Sequence, residues 1–164
     1  MDKKYIQTLY RYNQWANAKI LDTAAKLSPE LFTAEAEYPH GYLRGVLTHI
    51  LFAEWIWRNR WEGVSPTTRL KPDDFPTFDS LRTRWYEEEG KLMKFVEQVT
   101  DEQLNSPFQY TSTEGVKYEN ILGEAMAHVA NHGTQHRSEA AIILTELGHS
   151  PGDVDMILFL RKKL

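Results

Sequence analysis

Apolar positions recur at three- and four-residue intervals over four long stretches of the chain, with helix-breaking residues clustered between them. From Tyr5 to Leu27, Ile6, Leu9, Tyr10, Asn13, Ala16, Ile20 and Leu21 fall near helical spacing, which predicts a first helix. Ser28-Pro29 ends it, with Ser28 able to cap a following turn and Pro29 suited to its first position. A second helix is predicted from Leu43 to Trp61, apolar over a wide arc and closed by Gly63 and by Pro66, Pro72 and Pro76. A third runs from Phe78 to Val99, with Leu81, Trp85, Leu92, Phe95, Val96 and Val99 on its inner face. The pattern then changes: Phe108 to Ser112 and Val116 to Tyr118, around Thr113-Glu114-Gly115, resemble a small hairpin. A fourth long helix, Glu119 to Leu147, stops at Gly148, and Pro151-Gly152-Asp153 precedes a short last helix from Val154 to Lys163. The expectation is one all-α domain over residues 1–164. It is an antiparallel four-helix bundle with a small β-hairpin insert before the last long helix and a short C-terminal helix.

Composition narrows the function classes. At 41% hydrophobic and 26% charged residues, the chain has the usage of a folded globule rather than a disordered one. The longest apolar stretches, around Ile50 to Trp57 and Met156 to Leu160, are too short to span a bilayer. Met1-Asp2-Lys3-Lys4-Tyr5 contains no signal-peptide core, so a cytoplasmic location is expected. Net charge is −4 with no basic run to follow a phosphate backbone, which argues against nucleic acid as a partner. Arg161-Lys162-Lys163 reads as cations at a negative helix end. Cysteine is absent, so disulfides, thiolate ligands and cysteine nucleophiles are all excluded, and any metal must be held by nitrogen and oxygen.

Six histidines change the picture. His128, His132 and His136 follow one another at four-residue spacing, so adjacent pairs can present imidazoles to one point. At 1.5 Å rise per residue His128 and His136 stand about 12 Å apart, so one ion can take only one pair, and spacing does not choose which. His132 and His136 share a stripe with Ala125, Val129, Ala140 and Ile143, and His49 shares one with Val46, Ala53 and Ile56. Both stripes should face the core, and two ligands from one helix with a third from a facing helix is a common internal metal site. Three imidazoles leave a coordination position open, as catalytic sites do. The plainer reading is that each inward histidine is a hydrogen-bonded core residue. His132-Gly133 lacks the glutamate of a His-Glu-x-x-His protease. His40 and His149, beside proline or glycine, read as solvated; Trp55, Trp57, Trp61 and Trp85 read as packing, and Glu87-Glu88-Glu89 as a solvated face.

Several motifs together resemble the DinB/YfiT family of small bacterial proteins over nearly the whole chain. They are Tyr12-Asn13-Gln14-Trp15-Ala16-Asn17, Leu47-Thr48-His49-Ile50, His132-Gly133-Thr134-Gln135-His136-Arg137, and Pro151-Gly152-Asp153-Val154-Asp155 with Phe159-Leu160. The resemblance implies a four-helix bundle, often a homodimer, with a zinc- or nickel-type ion held by His49, His132 and His136. It leaves His128 as a neighbour, either behind the ligands or in the core. Where the family pattern often continues with Gly-Gln after the His-Arg pair, this chain has Ser138-Glu139, so no role is borrowed for those two positions. Characterised relatives resemble transferases and isomerases that depend on bacillithiol or mycothiol, and others are hydrolase-like.

Two reactions on a small-molecule substrate follow. In the first, a low-molecular-weight thiol is joined to an electrophile: a thiol taken up by the ion loses its proton near neutral pH, so the nucleophile arrives with the cofactor. Arg137 is a candidate to pair with a carboxylate of that thiol or with a bundle acid. In the second, water activated by the ion attacks an amide or ester, with Glu54 or Glu139 as the candidate acid/base group. A metal-binding protein without turnover is the third possibility.

Overall fold

The computed structural model describes residues 1–37 and 39–162. Four long helices, α1 (Lys3–Ala24), α3 (Leu43–Trp61), α4 (Phe78–Gln98) and α6 (Leu122–Glu146), form the bundle. Between them lie two short helices, α2 (Pro29–Thr33) and α5 (Asp101–Leu104), and a hairpin of β1 (Pro107–Thr111) and β2 (Lys117–Ile121); α7 (Met156–Leu160) follows the last long helix. The helix starts are chemically marked. Asp2 accepts from the Tyr5 N–H, Ser28 caps α2 ahead of Pro29, and Thr77/Ser80 and Thr100/Gln103 form reciprocal capping boxes on α4 and α5. Gly63 and Gly148, both at φ +83°, end α3 and α6 in the left-handed region that a side chain would strain.

Two apolar clusters define the directions of the helices. One joins Ile6 and Tyr10 of α1, Trp61 of α3, Leu92 and Val96 of α4, and Leu122 and Met126 of α6. The other joins Ile20 and Leu21, Leu43 to Leu51, Leu81 and Trp85, and Ala140 to Leu144. Thus α1 and α6 run one way and α3 and α4 the other. Because the consecutive helices α3 and α4 point the same way, the chain between them must travel back along the whole bundle, which explains the length of segment 62–77. The segment can be followed downward by its contacts. Ser65 Oγ accepts from the Thr111 N–H, Arg69 meets Thr113 and Glu114, and Asp73 meets Arg44 at the start of α3. A bundle with such a crossover carries its site between facing helices, and here the crossover roofs one side of it.

Several boundaries shift from the sequence expectation. Helix α1 stops at Ala24, and Lys26 and Leu27 close a turn onto Thr23 and Ala24. Glu119 to Ile121 belong to β2, not to α6: Gln109 donates to Glu119 across the hairpin, and Phe108, Tyr110 and Tyr118 stack. The last helix is shorter than Val154 to Lys163, since the Val154 carbonyl is taken by the Tyr12 hydroxyl and Asp155 caps Ile157; Lys163 lies outside the described residues. Helix α7 is held by Phe159 against Tyr12 and Trp15. Among the described residues no helix is long and apolar enough to cross a membrane.

Candidate metal centre

A polar layer separates the two apolar clusters, and the histidines lie in it. His49 on α3 faces His132 and His136 on α6, with His132 Nε2 3.0 Å from His49 Nε2. The ring centroids of His132 and His136 are 4.3 Å apart, and those of His49 and His136 are 4.5 Å apart. His136 is buried, while His49 and His132 are half-buried. The structure thus brings the three imidazoles named from the sequence to one place. His128, a turn earlier, is exposed; its ring meets Trp57 edge-on and lies 6.0 Å from that of His132, so it stands outside the core as a neighbour of the cluster.

His40 departs from the expectation of a solvated loop residue. It is half-buried, its ring stacks on His49 at 4.0 Å with 16° between planes, and it meets His136 edge-on at 4.9 Å. Possible ligand nitrogens of His40, His49 and His136 all lie within 4.8 Å of one another. His149 is half-buried next to Gly148, away from this cluster.

The donor set suits a divalent transition ion. Burial, followed by neighbouring imidazoles, pushes His49 down to about 4 and His132 down to about 3, so both rings are neutral at pH 7 with a lone pair to offer. Burial is also the main cause of the lowered pKa of His40. His132 Nδ1 is buried with no hydrogen-bond partner among the described residues. Glu139 Oε2 stands 2.8 Å from His136 Nδ1, the carboxylate–imidazole contact that fixes a ring's orientation and leaves Nε2 free to ligate. Glu139 therefore has a positioning place at the site, which sequence spacing did not reveal.

Glu54 and Arg137, the other two candidates, face into the bundle. Asn13 and Asn17 on α1 both donate to Glu54 Oε1, at 2.7 and 2.9 Å, and Arg137 Nη1 donates to Asn13 Oδ1 and Asn17 Oδ1, at 2.5 and 2.9 Å. Arg137 and Glu54 are fully buried and linked through these two amides. The Asn-x-x-x-Asn spacing of α1 puts both amides on one helix face, and Gly133 makes room for them. A Cβ at Gly133 would lie 2.8 Å from both Arg137 Nη1 and Asn13 Oδ1. The His-Gly-Thr-Gln-His-Arg motif therefore serves two faces of α6: imidazoles toward α3, guanidinium toward α1. On the far side of α3, Glu88 is fully buried and paired with Arg58, which corrects the reading of Glu87-Glu88-Glu89 as a wholly solvated face. The partner lies thirty positions away on another helix, beyond what local charge patterning shows.

Burial raises the Glu54 carboxyl from 4.5 to about 7, opposed by the two asparagine hydrogen bonds and then by Arg137. The sign of the linkage follows. An acid that keeps its proton longer in the fold than in the unfolded chain stabilises the fold fully below about pH 4.5, and that contribution is lost as pH rises through about 7. Glu54→Gln, which mimics the protonated form, is expected to remove a slope in unfolding free energy on the order of 3 kcal/mol between those limits. Urea melts of both proteins from pH 4.5 to 7.5 check this; parallel pH profiles would refute it.

A helical bundle with imidazoles converging from two facing helices, one of them braced by a carboxylate, could hold a metal ion, and comparison with known proteins supplies the family. The DinB family profile matches residues 1–163, and the chain belongs to that family. It is similar to Protein DinB of Bacillus subtilis (strain 168), with 25% identity over 94% of both chains.

Proposed function

We propose that the chain is a metal-dependent enzyme in which His49, His132 and His136 hold a zinc- or nickel-type ion, and that it joins a low-molecular-weight thiol, of the bacillithiol kind, to an electrophilic small molecule. The observation that carries this reading is the convergence of imidazoles at a half-open place in a chain without cysteine. A cleft of about 190 Å³ reaches His49 and is walled by Thr48, Phe52, Arg69 and Leu70, room for a small substrate rather than a polymer. When bound, the ion would supply Lewis acidity that lowers the pKa of a thiol entering the cleft.

The chain's own groups do the rest. Glu139 holds the His136 ring. Phe52 and Leu70 line the cleft with apolar surface that displaces water. Arg69 offers a cation at its rim, where a carboxylate of the thiol can exchange with Glu114, which pairs with Arg69 at 2.6 Å in an exposed contact. Arg137 is withdrawn from this role by its burial against Asn13 and Asn17.

Incubating the metal-loaded protein with bacillithiol and a chlorinated electrophile is expected to give a rate on the order of a hundredfold or more above the apo-protein, since Lewis-acid polarisation contributes several kcal/mol. Equal rates would overturn the reading. A hydrolase is the second reading, favoured by the carboxylate of Glu139 beside His136. Turnover of an ester or amide without any thiol, abolished in Glu139→Gln, would select it.

A further inference from the structure

We propose that His40 is a fourth imidazole ligand of the same ion, delivered by the loop between α2 and α3. This inference rests on the metal reading above. Three observations lead to it. The first is position: His40 contacts both His49 and His136, the two rings that also pack on His132, so it closes the cluster on the side away from His132.

The second is reach. Nitrogens bound at about 2.0–2.1 Å to one ion lie at most about 4 Å apart. The 4.8 Å limit on the His40, His49 and His136 nitrogens therefore needs a contraction of less than about 1 Å, within the range of side-chain rotation.

The third is that the backbone is built to hold His40 there. Gly45 occupies a buried position in the first turn of α3, and a Cβ on it would fall 1.6 Å from the His40 carbonyl oxygen. The helix gives up a side chain so that this loop can lie against it, and glycine in a helix costs about 1 kcal/mol relative to alanine. The close approach sets the imidazole over His49, four residues further along the same helix. A loop that merely passed α3 would need no such gap.

A consequence follows for catalysis. Three helix-borne imidazoles leave a position for substrate, whereas a fourth closes it as in a structural site. His40 also walls the cleft at His49 on one side and a second cavity of about 260 Å³, lined by Tyr42, Arg44, Pro72 and Asp73, on the other. Its ring therefore has space to withdraw into when a thiol or other donor takes its place. His40 would be the exchangeable ligand, and His49, His132 and His136 the fixed ones.

The test is cobalt(II) binding by competition with a chromophoric chelator, together with the visible absorption of the bound ion. It uses the full chain, His40→Ala, Gly45→Ala and His49→Ala, each checked for folding by circular dichroism. His40→Ala and Gly45→Ala should both remain folded and bind cobalt at least about tenfold more weakly, the minimum lost when even an outer partner of a ligand is removed. Their absorption should shift to that of a site with one nitrogen fewer. Gly45→Ala keeps the imidazole and forces the loop backbone that carries it away from α3, so it complements the loss of the ring in His40→Ala. If His49→Ala abolishes binding while His40→Ala keeps the parent affinity and spectrum, the fourth-ligand proposal fails and the metal reading stands. If the parent chain binds no cobalt, both fall.

Discussion

His49→Ala is expected to leave the purified chain with divalent metal at background, in elemental analysis run beside the parent. His49 is the residue on which every arrangement of the cluster depends: its Nε2 lies 3.0 Å from that of His132, its ring packs on His136, and His40 stacks on it. Removing it takes away the ligand from α3 and leaves the two α6 imidazoles, one helix turn apart, with only the exchangeable loop ring of His40 beside them. The loss should be visible in stability too. An ion that binds only the folded chain, present at about a thousand times its Kd, stabilises by about 4 kcal/mol. For a chain of this length that corresponds to a change in Tm on the order of 10 °C. A chelator should therefore lower the Tm of the metal-loaded parent by that amount and leave His49→Ala unmoved. Metal retained in His49→Ala would remove His49 from the ligand set, and a parent melt indifferent to chelator would end the metal reading.

The site was legible where it rests on helix periodicity. His132 and His136 fall on a stripe with Val129, Ala140 and Ile143, all buried, and His49 on one with Val46, Ala53 and Ile56, so the facing of both helices followed from the pattern. His40 did not follow, because a loop residue's place is set by contacts distant in sequence. The one local sign was Gly45, a weak helix former inside an apolar helix, which often marks a close backbone approach. The sequence makes Glu139 a candidate acid/base group; its role beside His136 depends on a rotamer, not a spacing. In the fold, the helices and hairpin were readable, but not that α3 and α4 run parallel. The clue was the proline-bearing stretch between them, longer than a tight turn between antiparallel neighbours requires. The periodicity puts Asn13 on the inner face of α1 among apolar residues, and only the structure shows why a polar side chain belongs there: it carries Arg137 to Glu54.

That link sets the second large effect. Arg137→Met should destabilise the fold by about 3–5 kcal/mol at pH 7.5, the usual cost of leaving one member of a buried charge pair alone. Methionine keeps much of the volume, so the loss is electrostatic. Once ionised, the Glu54 carboxylate would remain buried without a cation, and the Oδ1 atoms of Asn13 and Asn17 would lose their donor. Two controls separate this from ordinary core damage. The deficit should shrink as pH falls through about 7, because Glu54 then takes up a proton and needs no partner. In the double variant with Glu54→Gln the two costs should be less than additive, since both act on one contact. A pH-independent deficit, or full additivity, would show that Arg137 acts by packing alone. The network also joins α1, α3 and α6 at the level of the histidines, where Gly133, between His132 and His136 in the chain, leaves room for the Arg137 guanidinium on the α1 side of the helix. With that register loosened, the ring from α3 is no longer held opposite the pair from α6. Arg137→Met, though distant from the cleft, is therefore expected to weaken cobalt binding by about tenfold, as changes to groups supporting metal ligands typically do.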